Sequence, residues 1–441
     1  MVFMKPLPWI LFVFCLVYAF VTLRSLSSVI PFHPDEFYFI DHAYSLDILQ
    51  KVITNHTVIT DRHAFVQPRL GEYIWALALR MQGHADVSAY LREIGFRTGN
   101  DEQGESYWQW QERTAKYFND PKFPASASER KRIQPIVEAR KMAILFAVAI
   151  LAVAFFIGVV TNGWVGGFAI FWILLSNGLF QNSVLRAMGD GPLIFFMLAH
   201  FLLSLLYVRM VTRRRVLRFI TLVGLAVTLG AAVSVKLNGL LSVVYFIILW
   251  VILKKNALIL LTTVVGSFFI FVVLHPVLWG APIENSFTMI SYRMQLIQTQ
   301  QSLFFQQALW TVVSRIEAVI KNVFYPGTLY GNFPAGKYGL PVSLDVPFYL
   351  IGFVVLVMCA VDYIKTTGLR KNTLSMITFL CWSLIITVGT TMNLPFDWDR
   401  YYLPVVIAVS FMQSFGIVVI IRTSLIIINH ISIYIRNRKA I

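Results

Sequence analysis

About ten apolar stretches recur along this chain, with cores near residues 9–26, 142–161, 164–180, 192–208, 216–233, 237–253, 257–274, 346–361, 374–392 and 403–421. Each approaches the roughly 20 apolar residues that a helix needs to cross a hydrocarbon core of about 30 Å. Of the 441 residues 57% are hydrophobic and only 13% charged, with a mean hydropathy of +0.69, too apolar for a soluble protein of this size. The spacing predicts an all-α polytopic membrane protein, read as a single membrane domain over residues 1–441. Residues 1–26 read as an uncleaved first span because no small-residue cleavage site precedes the polar stretch. Cys15, Cys359 and Cys381 all fall within spans, so neither a disulfide framework nor a cysteine metal site is expected.

The net charge of +15 would point to nucleic acid in a soluble domain, but here its placement marks topology. With a cytoplasmic amino terminus, the inner loops hold Arg209, Arg213, Arg214, Arg215 and Arg218; Lys254 and Lys255; Lys365, Arg370 and Lys371; and Arg436, Arg438 and Lys439. That is the positive-inside pattern. It leaves two long loops on the outer face, 27–141 and 275–345, and three short ones. Within the first, the apolar run up to Met81 is too short to span and predicts a helix lying in the interface. From Gly83 to Pro135 the chain turns polar, with Trp108, Trp110, Tyr117 and Phe118 interspersed, and small helices over the membrane domain are expected. Asn162-Gly163 predicts a tight hairpin between the second and third spans.

Chemistry concentrates at the outer boundary. His33-Pro34-Asp35-Glu36 follows the first span, and its carboxylates read as a general base with a supporting carboxylate, since hydroxyl attack on an anomeric carbon needs a positioned proton acceptor. The competing reading is an acidic helix cap after Pro34. Each short outer loop carries one cation, Arg186, Lys236 or Arg400, against the charge bias of that face. A bound anion such as a lipid phosphate would keep them there. Neutralisation by a neighbouring carboxylate, Arg186 by Asp190 and Arg400 by Asp399, is the alternative; Lys236 has no acidic neighbour in sequence. His33, Asp35 and His275 are candidate ligands for a divalent metal, although a lone interface histidine is more often a hydrogen-bonding residue. No zinc spacing, P-loop, dinucleotide fingerprint or nucleophile elbow is present.

Five segments in this order resemble the GT-C glycosyltransferases, in particular the branch of protein mannosyltransferases and aminoarabinose transferases that uses polyprenyl-phosphate sugars. They are His33-Pro34-Asp35-Glu36; Arg186 to Pro192, which includes Asp190; Lys236-Leu237-Asn238-Gly239-Leu240-Leu241; His275-Pro276-Val277-Leu278-Trp279 with Pro282; and Asp399-Arg400-Tyr401-Tyr402-Leu403-Pro404. The resemblance implies a GT-C-like helix bundle and an inverting sugar transfer, metal-independent or loosely metal-assisted. It implies Asp35 as base with Glu36 beside it, and a donor phosphate held by Arg186, Asp190, Lys236, His275, Arg400 and Tyr401, supported by His33, Trp279 and Asp399. The implied partners are a polyprenyl-phosphate-linked sugar, a lipid, glycan or protein acceptor and the bilayer, with no nucleic acid. The active face would be extracytoplasmic, on the cell (inner) membrane of a prokaryote or the ER membrane of a eukaryote. A transporter or flippase of a lipid-linked or anionic solute is the competing class, but the span cores carry almost no charge to line a path.

Overall fold

The structure, a computed structural model, describes residues 6–55, 68–94, 96, 114–115, 117–119, 127–209, 215–252, 256–324, 342–365 and 371–439. Trp108, Trp110, Arg213, Arg214, Lys254, Lys255, Arg370 and the Tyr325 to Pro341 run therefore lie outside the described residues. Among the described residues six helices are long and apolar enough to cross a membrane: Pro6–Ser27, Ile133–Leu175, Asp190–Arg209, Val216–Val235, Leu374–Met392 and Arg400–Ile433. Three shorter apolar helices join them, Leu237–Ile252, Ala257–Val273 and Val346–Cys359. No strand is present among the described residues, only an isolated antiparallel bridge between Ala308 and Phe396. This is a multi-pass helical membrane protein.

The helical stretch Ala127–Leu175 folds back on itself at Gly163, whose φ of 76° lies in the left-handed region that favours glycine. Phe155 and Phe168 consequently meet with ring centroids 5.1 Å apart, where a straight helix would separate them by roughly 20 Å. The hairpin expected at Asn162-Gly163 is thus built on one residue. The final helix departs from expectation. It runs Leu403–Lys439 and does not stop near 421, because Leu425, Ile426, Ile427, Ile428, Ile431 and Ile433 continue the apolar run without a breaker. Their exposed side chains, like those of Phe14, Val251 and Phe269, present the apolar surface that a bilayer solvates.

Two cores hold the assembly. The larger lies within the bundle, where Phe201 stacks on Trp382 at 4.6 Å and 8° between planes and both meet Phe411. The smaller matters more for function. It joins α2 (Pro34–Asp41), the helix Leu70–Met81 and the 187–188 turn through Phe37, Phe39, Ile40, Trp75, Leu79, Ala187 and Met188. Burial of that apolar surface, worth about 25 cal/mol per Å², presses the acidic motif of the first long loop onto the loop carrying Arg186.

Candidate active site

Local sequence explains how α2 begins. His33 is the N-cap: its Nδ1 accepts the Asp35 N–H at 3.1 Å, and Glu36 Oε2 accepts the His33 N–H at 3.0 Å, a reciprocal capping box with Pro34 in the first turn. The capping reading of this motif therefore holds for His33 and Glu36, while Asp35 uses only its amide in the cap.

Glu36 is saturated. The Arg140 fork binds it at 2.8 Å (Nε to Oε1) and 2.6 Å (NH2 to Oε2), and Oε1 also accepts the Ala187 N–H at 2.9 Å. Arg140 further donates to the carbonyls of Ser27, Ile30 and Pro31. Burial raises the Glu36 carboxyl, but Arg140, then Arg186 and the His33 amide, outweigh it and hold the carboxyl below its ordinary value. With its lone pairs engaged, Glu36 is placed as an anchor. Arg140 thereby ties the end of the first span, the start of α2 and the residue after Arg186 to one point.

Asp35 faces the other way and pairs with Arg400. Arg400 is thus paired with a carboxylate from the opposite end of the chain; the Asp399 side chain lies outside the described residues. Lys236, without an acidic neighbour in sequence, pairs with Asp190 at 2.7 Å, so Asp190 serves Lys236 instead of Arg186. Arg186, Arg400, Lys236 and Arg140 all act on His33, and together with burial, the largest influence, they hold its imidazole well below the usual histidine range. His33 is therefore neutral and accepts at Nδ1. Tyr401 lies under the Arg400 guanidinium, 5.2 Å from it, and feels Arg293 and Lys236 as well. Among the described residues, Arg140, Arg186, Lys236 and Arg400 all act on His33, with Asp35, Glu36 and Asp190 paired among them, a gathering of cations at one point.

Gly189 makes this packing possible. A Cβ there would stand 3.0 Å from Lys236 Cε and 3.2 Å from Phe39 Cζ. Gly189→Ala is expected to push Lys236 off Asp190 and lower stability by about 1–3 kcal/mol, the usual cost of overpacking. Thermal unfolding in detergent checks this, and an unchanged midpoint would refute it.

His275 stands apart from the cations. Its Nδ1–H donates to the Phe271 carbonyl at 2.5 Å and its Nε2 accepts the Arg69 N–H at 2.9 Å. Both nitrogens being engaged, His275 is corrected from phosphate or metal ligand to a stitch between the two long loops, and the set His33, Asp35 and His275 does not form a metal site. Among the described residues no group of three or more His, Cys, Asp or Glu is arranged to hold an ion. Trp279, expected to support the site, is exposed and returns its indole N–H to the Val272 carbonyl at 2.9 Å.

Burial is the main reason that His275 titrates at about 4. Its folded value lies below the ordinary 6.5, so the unfolded chain binds the extra proton between those values. This contribution to stability is complete above pH 6.5 and is lost as pH falls towards 4, at most about 3 kcal/mol. Thermal unfolding in detergent should show a falling midpoint across that window, flattened in His275→Gln; an equal slope in the variant would contradict the assignment.

Four further residues carry little signal in sequence. Arg140 sits at the end of the loop 27–141, just before the second span. Arg69 and Glu72, paired at 2.6 Å and bonded to Ser45, form a buried network, legible only as an i,i+3 spacing. Arg293 occupies the inward stripe of the helix Pro282–Leu303 with Asn285, Met289 and Gln300, and a lone arginine in a Gln-rich stretch gave little signal.

Comparisons with known proteins agree with this architecture. A family model described as dolichyl-phosphate-mannose-protein mannosyltransferase matches residues 77–288, a little under half of the chain. No curated protein matches it by sequence. Two crystal structures of ArnT from Cupriavidus metallidurans are similar. The one bound to undecaprenyl phosphate has a TM-score of 0.54 at 13% identity and the apo form 0.53 at 12%, each alignment covering 92% of this chain and 59% of the other. The chain thus spans about three fifths of the length of those structures. At such identity the likeness is one of fold alone.

Proposed function

We propose that this chain, a multi-pass protein of the GT-C fold with a mannosyltransferase-family match, is a membrane glycosyltransferase that moves a sugar from a polyprenyl-phosphate donor to a hydroxyl acceptor. The observation that carries the reading is the convergence of Asp35, Arg186, Lys236, Arg400 and Tyr401, from four separated segments, into one cluster rich in cations. A lipid phosphate is the anion that suits such a cluster at a membrane boundary, and ArnT, the protein of similar fold, is seen with undecaprenyl phosphate. The charge bias of the loops favours the extracytoplasmic side.

In the reaction, the donor phosphate rests on Arg400, Lys236 and Arg186, with Asp190 holding Lys236 in place and Tyr401 beneath Arg400. The acceptor hydroxyl attacks the anomeric carbon from the face opposite the phosphate and passes its proton to the Asp35 carboxylate. The bond from carbon to phosphate oxygen breaks with inversion, and the cations take up the charge that develops on the departing polyprenyl phosphate. Glu36 and His33 hold the α2 turn on which Asp35 stands. Mannose is the first hexose to test.

Two measurements test this. Mass spectrometry of the glycans on lipids and proteins from host cells with and without the gene should show one sugar missing. Purified protein in nanodiscs should release polyprenyl phosphate from the matching polyprenyl-phosphate sugar. Unchanged glycans together with no release from any such donor would overturn the reading.

A further inference from the structure

The loop carrying Arg400 is bonded to the second long loop at several points. Asp397 Oδ1 accepts the Asn322 Nδ2–H at 2.7 Å and the Tyr402 O–H at 2.6 Å, and its backbone N–H donates to the Gln307 carbonyl at 2.8 Å. The Gln307 side chain in turn accepts the Trp398 indole N–H at 2.6 Å. Leu309 N–H and Gln301 Nε2 both donate to the Pro395 carbonyl, at 3.0 and 3.2 Å. Asn322 lies on the single π-helical turn Ile320–Phe324, a local departure from α-helix that costs hydrogen-bond geometry and recurs where a side chain must be aimed.

Arg400 is reached through this frame. Its guanidinium lies over the Trp398 ring at 5.0 Å and the Tyr401 ring at 5.2 Å, and these two rings stack with only 14° between planes. Asp397 fixes Tyr402 on one side of Arg400, and Gln307 fixes Trp398 on the other. An arginine carries substantial rotamer freedom, and a phosphate ligand works only if its fork is aimed before the anion arrives.

We infer that Asp397 and Gln307 are positioning residues that pre-aim Arg400 at the donor phosphate, so that the second long loop sets donor affinity without touching the donor. The inference rests on the proposed function for the identity of the anion. It assigns a role to a carboxylate that neither chemistry nor the cation cluster uses.

A double-mutant cycle separates positioning from mere scaffolding. Undecaprenyl phosphate is titrated into the full-length protein in phosphatidylcholine nanodiscs, and thermal unfolding of the unliganded protein is recorded in parallel. Arg400→Ala is expected to weaken binding by ~30-fold and Gln307→Leu by ~10-fold, with Gln307→Leu on the Arg400→Ala background costing nothing beyond Arg400→Ala alone. Gln307→Glu, which still accepts the indole N–H, should bind as wild type. Asp397→Leu should behave like Gln307→Leu, and Asp397→Asn, which keeps the acceptor oxygen, should retain most of the affinity. Additive losses in the cycle, or wild-type binding by Gln307→Leu, would overturn the inference while leaving the proposed function standing. An Arg400→Ala protein that binds undecaprenyl phosphate like wild type would instead overturn the role of Arg400 as a phosphate ligand, and this inference with it.

Discussion

Replacing Asp35 with asparagine leaves a folded protein that still binds polyprenyl phosphate but transfers sugar ~10³-fold more slowly, the scale on which a positioned general base acts. The amide is nearly isosteric with the carboxylate, and only the Asp35 backbone N–H takes part in the cap, so the α2 turn survives. What is lost, on the proposed function, is the group that takes the proton of the attacking hydroxyl. The same change releases Arg400 from its carboxylate partner, so affinity for undecaprenyl phosphate should hold or rise. Single-turnover release of polyprenyl phosphate, measured beside binding in nanodiscs, separates the two effects. Wild-type turnover would remove Asp35 from the chemistry, and a parallel loss of binding and rate would make it a structural residue.

The second large effect is expected at Arg140. Arg140→Ala should lower stability by about 3–5 kcal/mol, the cost of leaving a buried carboxylate without its partner. Three carbonyls, those of Ser27, Ile30 and Pro31, lose their donor at the same time. Exposed ion pairs rarely contribute more than about 1 kcal/mol, so the size of the effect is itself diagnostic of burial. Arg140→Lys should recover part of the stability, since an ammonium satisfies the charge of Glu36 but not the bidentate geometry. Thermal unfolding in detergent measures both. An alanine variant as stable as wild type would mean that the Glu36–Arg140 pair does not hold the loops together.

How much of this site was legible depends on the distance over which each interaction acts. The acidic cap after Pro34 and the turn at Gly163 are local. They follow from residue types within a few positions of one another, and the sequence carries both, the cap as the alternative to a general base. The pairing of charges is not legible in the same way. Neighbour logic offers Asp190 to Arg186, while the folded chain joins Lys236 to Asp190 and Arg400 to Asp35, across 46 and 365 positions. Proximity in sequence carries no information once helices return the chain repeatedly to the same end of a bundle. His275 shows the converse error. An imidazole at the boundary looked like a ligand, yet a backbone N–H 206 residues earlier in the chain occupies it.

His33-Pro34-Asp35-Glu36 shows where the division falls. Hydropathy alone determined that this chain is a helical membrane protein, because apolar runs of this length leave a backbone only one way to satisfy itself in lipid. Motif order singled out Asp35, Arg186, Asp190, Lys236 and Arg400, which the fold brings together. Tertiary structure alone decided that Asp35 and Glu36, adjacent and chemically alike, do different work. One carboxylate is enclosed by Arg140 and two backbone N–H groups, and the other is left facing Arg400. A carboxylate's role is set by how many donors surround it, and those donors come from residues that only folding brings together.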